Sequence, residues 1–387
     1  MPVSFGTLVV IVLAGLGGPL LGIAGHRFVP VVIGEILAGI LVGPTVLDAV
    51  NPADGSISFL AEIGFAMLML TVGMHLPLRE KRLAAALRSG GLLAAIVCVL
   101  ALPAGLLAAR IAGTSHAAIY VVLLASGSAA VLLPALQETR IDAPEVMSVM
   151  AQVTIADLIT ILSVPIVLQP GRVAHAALGG VLVAAAVIVI FGIARTLAAR
   201  GWVHRLRALS KQRRWALDLR LSLLVLFLLA WIAQKGGTSI LIAGFGAGVM
   251  VALIGGPKRL STQMRGVAEG FFIPLYFVVL GAQLDLAGLV NHPSLLALAF
   301  VLAALNLIIH VLASVIVRRP VAGGLVATAQ LGVPAAIATL GLAEHVLSRP
   351  VATAIIVAAL VSLVICTLGI ERLVAPESLT LDSESFT

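Results

Sequence analysis

The sequence predicts an all-α protein that crosses a lipid bilayer many times. Three observations carry this. Hydrophobic residues make up 61% of the 387 residues and charged residues only 11%, whereas a soluble domain carries about 25% charged residues. The apolar residues gather in long runs, and about 20 residues at ~1.5 Å each reach across a hydrocarbon core of ~30 Å. The basic residues fall between the runs, on alternate loops. Mean hydropathy is +1.18, which leaves little chain for an extramembrane domain.

Hydropathy places thirteen spans at 5–25, 28–47, 57–76, 90–112, 116–136, 146–168, 174–198, 215–234, 237–255, 268–284, 294–317, 321–343 and 350–371. The chain's 38 Gly and 18 Pro are ordinary for membrane helices. No Lys or Arg precedes the first run, which reads as a retained span and not a cleaved leader. Cys98 and Cys366 lie inside spans, so a disulfide framework is excluded. A net charge of +7 has the sign for nucleic acid, but aromatic residues at 4% give no stacking platform for bases, and topology accounts for the basic loops. Eighteen Lys and Arg fall in one set of loops, including Arg27, Arg79, Arg140 and the stretch from Arg200 to Arg214. Only Arg110, Arg172, Lys235 and Arg349 fall in the other set. The positive-inside rule then predicts a multi-pass protein of the cell membrane with the N-terminus outside and the C-terminus in the cytoplasm. An odd number of spans agrees with opposite termini.

The longest basic loop, 199-ARGWVHRLRALSKQRRW-215, reads either as an interfacial helix on anionic lipid or as a topology anchor. The tail 373–387 is short and acidic and is expected to be disordered. It contains no Gly-rich phosphate loop, and no nucleotide-binding domain is expected in the chain.

Two stretches recur. In span 2, 36-ILAGILVG-43 resembles 241-LIAGFGAG-248 of span 9, and in span 3, 70-LTVGMHLPL-78 resembles 278-VVLGAQLDL-286 of span 10. The offsets are 205 from Gly39 to Gly244 and 208 from Gly73 to Gly281. Seven spans separate each pair, so the copies cross in opposite directions, as in inverted-topology transporters. Small-residue helix packing also produces such matches.

Inverted repeats predict a site near the midplane, where two helices are broken at matching positions and cross. Spans 5 and 12 fit. The first reads 123-LLASGSAAVLLP-134, with Ser126, Gly127 and Ser128 near its centre, and the second 328-TAQLGVPAAIATLG-341, with Gln330, Gly332 and Pro334. Pro removes a backbone donor and clashes with the preceding turn. Freed carbonyls and opposed half-helix dipoles suit ions. The plainer reading is a Pro kink with Ser bonded back to its own helix.

Span 6, 146-VMSVMAQVTIADLITILSVPIVL-168, carries one ionisable group, Asp157, at its midpoint. A carboxylate at that depth costs roughly 2.5–3.5 kcal/mol on insertion scales and faces protein or water where it persists. It reads as a site where a cation and a proton compete, or as a protonated Asp bonded to a neighbouring helix. Thr154 lies three residues earlier on the same face, Thr160 three later, and Gln152 is a weaker candidate. Span 11 contributes Asn306 and His310. His310 reads equally as a neutral hydrogen-bonded group and as the charge partner of Asp157. Glu35 and Glu62 read as helix-packing or gating groups, and Asp285 as a solvated residue at a span end.

These residues resemble the monovalent cation:proton antiporter-2 family, the membrane part of Kef-type and bacterial sodium/proton antiporters. The likeness rests on 32-VIGEILAGILVGPTVL-47, then 61-AEIGFAMLMLTVGMHLPL-78 and 270-GFFIPLYFVVLGAQLDL-286. It implies that Asp157 is the ion-binding aspartate. It implies a homodimer working by an elevator movement, with a transmembrane domain over 1–372. A scaffold would span about 1–88 and 215–287, a core about 89–170 and 294–372, with a linker helix at 174–198. The chain departs from the family pattern in two places. Electrogenic members carry two adjacent acids where this chain has Ala156 and Asp157, which implies one-for-one, electroneutral exchange. Many members carry Lys or Arg where this chain has His310, whose side chain titrates near pH ~6.5 in water, so the resemblance implies a conditional counter-charge or pH sensor.

The chemistry expected is simple. Burial disfavours the charged carboxylate, and a cation coordinated by Asp157, Thr154 and freed carbonyls favours it, so proton and cation exclude one another. Oxygen ligands suit Na+, K+ or Li+ as the transported metal ion, and no cofactor beyond the transported ions is expected. A proton-independent cation channel or efflux pathway is the alternative. An intramembrane enzyme is disfavoured, because no His–Glu–x–x–His pattern and no second midplane Asp exist.

Overall fold

The computed structural model describes residues 4–24, 30–74, 81–128, 132, 144–213, 215–254 and 258–384. Arg27, Arg79, Pro134, Arg140 and Arg214 lie outside the described residues. Every regular element among the described residues is helical. In chain order these are α1 (Phe5–Gly15), α2 (Gly17–Ala24), α3 (Val31–Val42), α4 (Gly55–Met74), α5 (Lys81–Ala112) and α6 (Ala117–Ala125). There follow α7 (Pro144–Leu168), α8 (Val173–Ala199), α9 (Trp202–Arg213), α10 (Leu217–Lys235), α11 (Ile240–Ile254) and α12 (Lys258–Val267). A π turn (Ala268–Phe272) leads into α13 (Ile273–Gln283), then α14 (Leu286–Asn291), α15 (Pro293–Ile316), α16 (Val321–Ala327), α17 (Gly332–Ala343) and α18 (Arg349–Glu384).

Among the described residues, ten helical segments are long and apolar enough to cross a membrane, and α3 and α11 are shorter apolar helices. Helices are the expected solution in lipid, because each bonds its own backbone donors and acceptors.

Glycine lets these helices approach closely. A Cβ on Gly39 of α3 would strike the Val278 carbonyl of α13, and one on Gly281 would strike the Ile36 carbonyl of α3. A Cβ on Gly73 of α4 would strike the Phe245 carbonyl of α11, and one on Gly248 of α11 the Leu70 carbonyl of α4. In lipid, where association is driven by packing, such small-residue seams bind helices together. A second seam joins α5 to α7, where Gly90 sits on Ala151, and to α6, where Gly105 sits on Val121. Helix α15 packs on α5, α16 and α18. Helix α8 lies at the periphery and shows Val181, Ile188 and Val189 outward.

Several details differ from the sequence reading. Asp285 is not simply solvated. It is half-buried, and its Oδ1 accepts from Gly288 N at 2.7 Å, capping α14. Helix α18 runs beyond the last predicted span to Glu384. The basic loop 199–215 contains α9, with Trp202 and Leu209 exposed and the Ser210 hydroxyl accepting from Leu217 N at 3.0 Å.

Candidate functional site

Helix α7 delivers Asp157 to the interior, where it is 2% exposed, with Thr154 at 4%, Gln152 at 2% and Thr160 at 1%. Thr160 is not poised for a ligand. Its Oγ1 donates to Ala156 O at 2.7 Å, within its own helix. Pro165 does not interrupt α7 near Asp157, since it falls in the last turn.

Two helices are interrupted beside α7. The first interruption follows α6 and comprises Ser126, Gly127 and Ser128, and both serines are buried. A Cβ on Gly127 would lie 2.9 Å from Val153 Cγ1, so this backbone rests on α7 one residue before Thr154. The second separates α16 from α17 at Thr328, Ala329, Gln330 and Leu331. Both α16 and α17 pack along α7. Gly332 and Pro334 are buried in the first turn of α17. Pro334 therefore starts the second half-helix, at a position where a missing N–H costs nothing, and does not itself form the break.

The interruptions are tied together by side-chain amides. Gln330 Nε2 donates to Leu123 O at 2.9 Å, at the C-terminal end of α6, and to Asn306 Oδ1 at 2.7 Å. Asn306 Nδ2 in turn donates to Thr328 O at 2.9 Å, at the end of α16, and to Ser362 Oγ of α18 at 3.0 Å. Two neutral amides thus cap the carbonyl ends of both half-helices and bridge them. Leu123 O also accepts from Ser126 N at 3.1 Å and Ser126 Oγ at 2.7 Å. The expectation of carbonyls freed for an ion is thereby narrowed, since those of Leu123 and Thr328 are engaged by protein donors.

His310 is 1% exposed, and its Nδ1 sits 2.9 Å from Asn306 O. A carbonyl only accepts, so Nδ1 carries the proton and Nε2 is the other tautomeric position. Glu35 is 5% exposed on α3, where a Cβ on Gly18 would lie 3.0 Å from its Cγ. The sequence reading missed the linkage of Asn306, Thr328 and Ser362 to Gln330. Asn306 and Gln330 stood out as amides in apolar runs, but Ser362 looks like any serine bonded to its own helix. Among the described residues no group of three His, Cys, Asp or Glu side chains comes together.

A bundle of apolar helices with a buried carboxylate beside two interrupted helices is the architecture of a polytopic membrane transporter. The chain belongs to the sodium/hydrogen exchanger transmembrane family, whose model matches residues 8–375. It is 24% identical, over 99% of its own length and 65% of the other's, to YjbQ of Bacillus subtilis (strain 168), a protein named as a Na(+)/H(+) antiporter. It is 25% identical to the glutathione-regulated potassium-efflux system protein KefC of Klebsiella pneumoniae, over 68% of this chain and 42% of that one. The chain thus spans about two thirds of the first and under half of the second. The fold is that of the sodium proton antiporter MjNhaP1 from Methanocaldococcus jannaschii, with a TM-score of 0.63, 16% identity and coverage of 95% and 96% of the two chains. The resemblance read from the sequence motifs is borne out.

Proposed function

We propose that the protein exchanges a monovalent cation, Na+ or K+, for H+ at Asp157, one for one and without net charge movement. The observation that carries this is the burial of Asp157 and Thr154 on a helix that packs against two interrupted helices. Removal from water disfavours the charged carboxylate, a proton or a cation compensates it, and the two cannot be held together. The names of the relatives, sodium/proton antiporters on one side and potassium efflux on the other, leave both cations in the proposal. Ser126, Gly127, Ser128 and Gln330 line the breaks in this reading, with Gly332 and Pro334 opening the second half-helix. His310 is carried as a conditional charge partner whose Nε2 gains and loses the proton. A change in the pH dependence of exchange in His310→Gln supports that role, and an unmoved profile removes it.

The finer architecture belongs to the same proposal: thirteen spans, inverted repeats, a homodimer, and a core moving against a scaffold in the plasma membrane with the N-terminus outside. Two features support it. The α3–α13 and α4–α11 seams are the pair that an inverted repeat would exchange. The contacts match best when Gly39 is set against Gly248, an offset of 209 beside the 208 of Gly73 and Gly281, one helical turn from the pairing with Gly244. Packing also falls into two sets, with α5, α6, α7, α15, α16, α17 and α18 mostly on one another and α3, α4, α11 and α13 on one another. Those sets agree with a core near 89–170 and 294–372 and a scaffold near 1–88 and 215–287.

The test is collapse of a pH gradient in proteoliposomes on addition of Na+, K+ or Li+, with and without a voltage clamp. One-for-one exchange predicts the same rate in both conditions; a rate that changes with voltage contradicts electroneutrality. Cation flux with no proton movement would favour a channel or efflux pathway, the reading that the likeness to KefC keeps in view.

A further inference from the structure

Helix α9 plays no part in exchange at Asp157, yet its sequence is unlike the rest of the chain. From Ala199 to Trp215 there are six Lys and Arg and no Asp or Glu. Two of the chain's three tryptophans, Trp202 and Trp215, bracket the helix.

The fold fixes where α9 lies. Helices α8 and α10 pack on one another, and α9 packs on both. Gly201, with φ of 75°, and Ala216, with φ of 50°, hold left-handed backbone at its two ends, so the chain turns sharply into and out of it. The Ser210 carbonyl accepts from Trp215 N at 3.1 Å and the Ser210 hydroxyl from Leu217 N at 3.0 Å, which ties α9 to the start of α10. The helix therefore closes a two-span hairpin, at the depth where both spans leave the bilayer.

The outward face of α9 mixes apolar and cationic groups. Trp202, Arg205, Leu209 and Arg213 follow one another at three, four and four residues, a single stripe on the helix, and all four are exposed. Trp202 is 57% exposed, and Trp215, just beyond the helix, 47%. The Arg213 Cζ lies 5.7 Å from the centroid of the Trp215 ring. A guanidinium stacked in this way keeps its edge N–H groups available for a phosphate. Neither Arg205 nor Arg213 meets a carboxylate among the described residues. The exposed apolar surface of the two spans runs down to the stripe through Leu197 and Leu221. Indole rings settle at headgroup level, their apolar bodies in the acyl boundary. Arginines beside them reach the lipid phosphates, and a basic segment adjoining a span draws anionic lipid. A loop that only sets topology by its charge needs neither a fixed helix nor exposed indoles.

We propose that the exposed face of α9 binds anionic phospholipid, with Trp202 and Leu209 in the acyl boundary and Arg205 and Arg213 on the lipid phosphates. Lipid held there braces α8 and α10 together at the membrane surface. The proposal goes beyond exchange at Asp157 and does not depend on it.

The test reads Trp202 fluorescence in the full chain carrying Trp215→Phe and Trp231→Phe. The protein sits in nanodiscs of phosphatidylglycerol and phosphatidylcholine in equal amounts, with bromine on the acyl chains of one lipid or the other. Brominated phosphatidylglycerol is expected to quench Trp202 more than brominated phosphatidylcholine does. Adding Arg205→Gln with Arg213→Gln should make the two equal, while Arg318→Gln with Arg372→Gln, exposed arginines elsewhere, should leave the difference intact. Equal quenching before the arginines are changed, or quenching by neither lipid, overturns the proposal. So does loss of the difference in the Arg318 and Arg372 pair, which would be net charge acting at a distance. A second readout uses the wild-type chain in detergent. Phosphatidylglycerol should raise its melting temperature by several degrees over phosphatidylcholine, and Arg205→Gln with Arg213→Gln should remove that gain. The same gain from inorganic phosphate would mark a plain anion site and overturn the lipid reading. Neither readout involves transport, so a failure of the exchange reading leaves this one standing, and the reverse.

Discussion

Gln330 is the residue through which the two interrupted helices hold one another. Its amide reaches Leu123 O at 2.9 Å and Asn306 Oδ1 at 2.7 Å in a region without bulk water. Gln330→Leu fills the volume and takes the donor from Asn306 Oδ1, while Leu123 O keeps those of Ser126. A buried polar group left without its partner costs about 1–3 kcal/mol. The expected outcome is a lower melting temperature in detergent together with a slower exchange rate, while Thr160→Val, which removes a bond inside one helix, leaves the rate near wild type. The burial of Asp157 was legible in the sequence, because a carboxylate at mid-span is costly and therefore conspicuous. That of Thr154 followed from its spacing on the same face. The amide bridge was not legible, because Gln330 lies 207 residues from Leu123 and 24 from Asn306, and nothing local records that they meet.

At the scale of elements, the breaks were foreseen from Ser126, Gly127, Ser128, Gln330, Gly332 and Pro334, but the role of Pro334 was misread. Its ring was expected to rupture a helix. Instead the chain opens at Thr328 to Leu331, and Pro334 starts the next half. Spans are read from hydropathy, and hydropathy cannot say where a helix stops inside an apolar run. The glycines of these helices were read as parts of a repeat and not as contacts, so the seams they make were not legible in the sequence. These seams are strict. Gly39→Val would push a side chain into the Val278 backbone, which cannot yield as a side-chain tip does. Overpacking of this kind costs about 1–3 kcal/mol. Thermal unfolding in detergent should show the loss, whereas Gly22→Ala, with nothing within 4 Å of its Cβ, should melt as the wild type does.

For the whole molecule, composition sufficed to predict a helical membrane protein, because a chain with 61% hydrophobic residues has no other use for runs of this length. Which helices pack together was beyond it, since lipid-facing and buried faces are equally apolar. The predicted orientation has a direct check. In a background without Cys98 and Cys366, Gly171→Cys should react with an impermeant thiol reagent from outside the cell, and Arg200→Cys only from the cytoplasmic side; the reverse pattern would invert the topology. The central claim concerns one carboxylate that holds a proton or a cation, never both. Asp157→Asn keeps the size of the side chain and removes the charge. In proteoliposomes bearing a pH gradient, this variant should show no proton movement on addition of Na+ or K+ while folding and melting like the wild type. Cation-driven proton movement retained in Asp157→Asn would contradict the account at its centre.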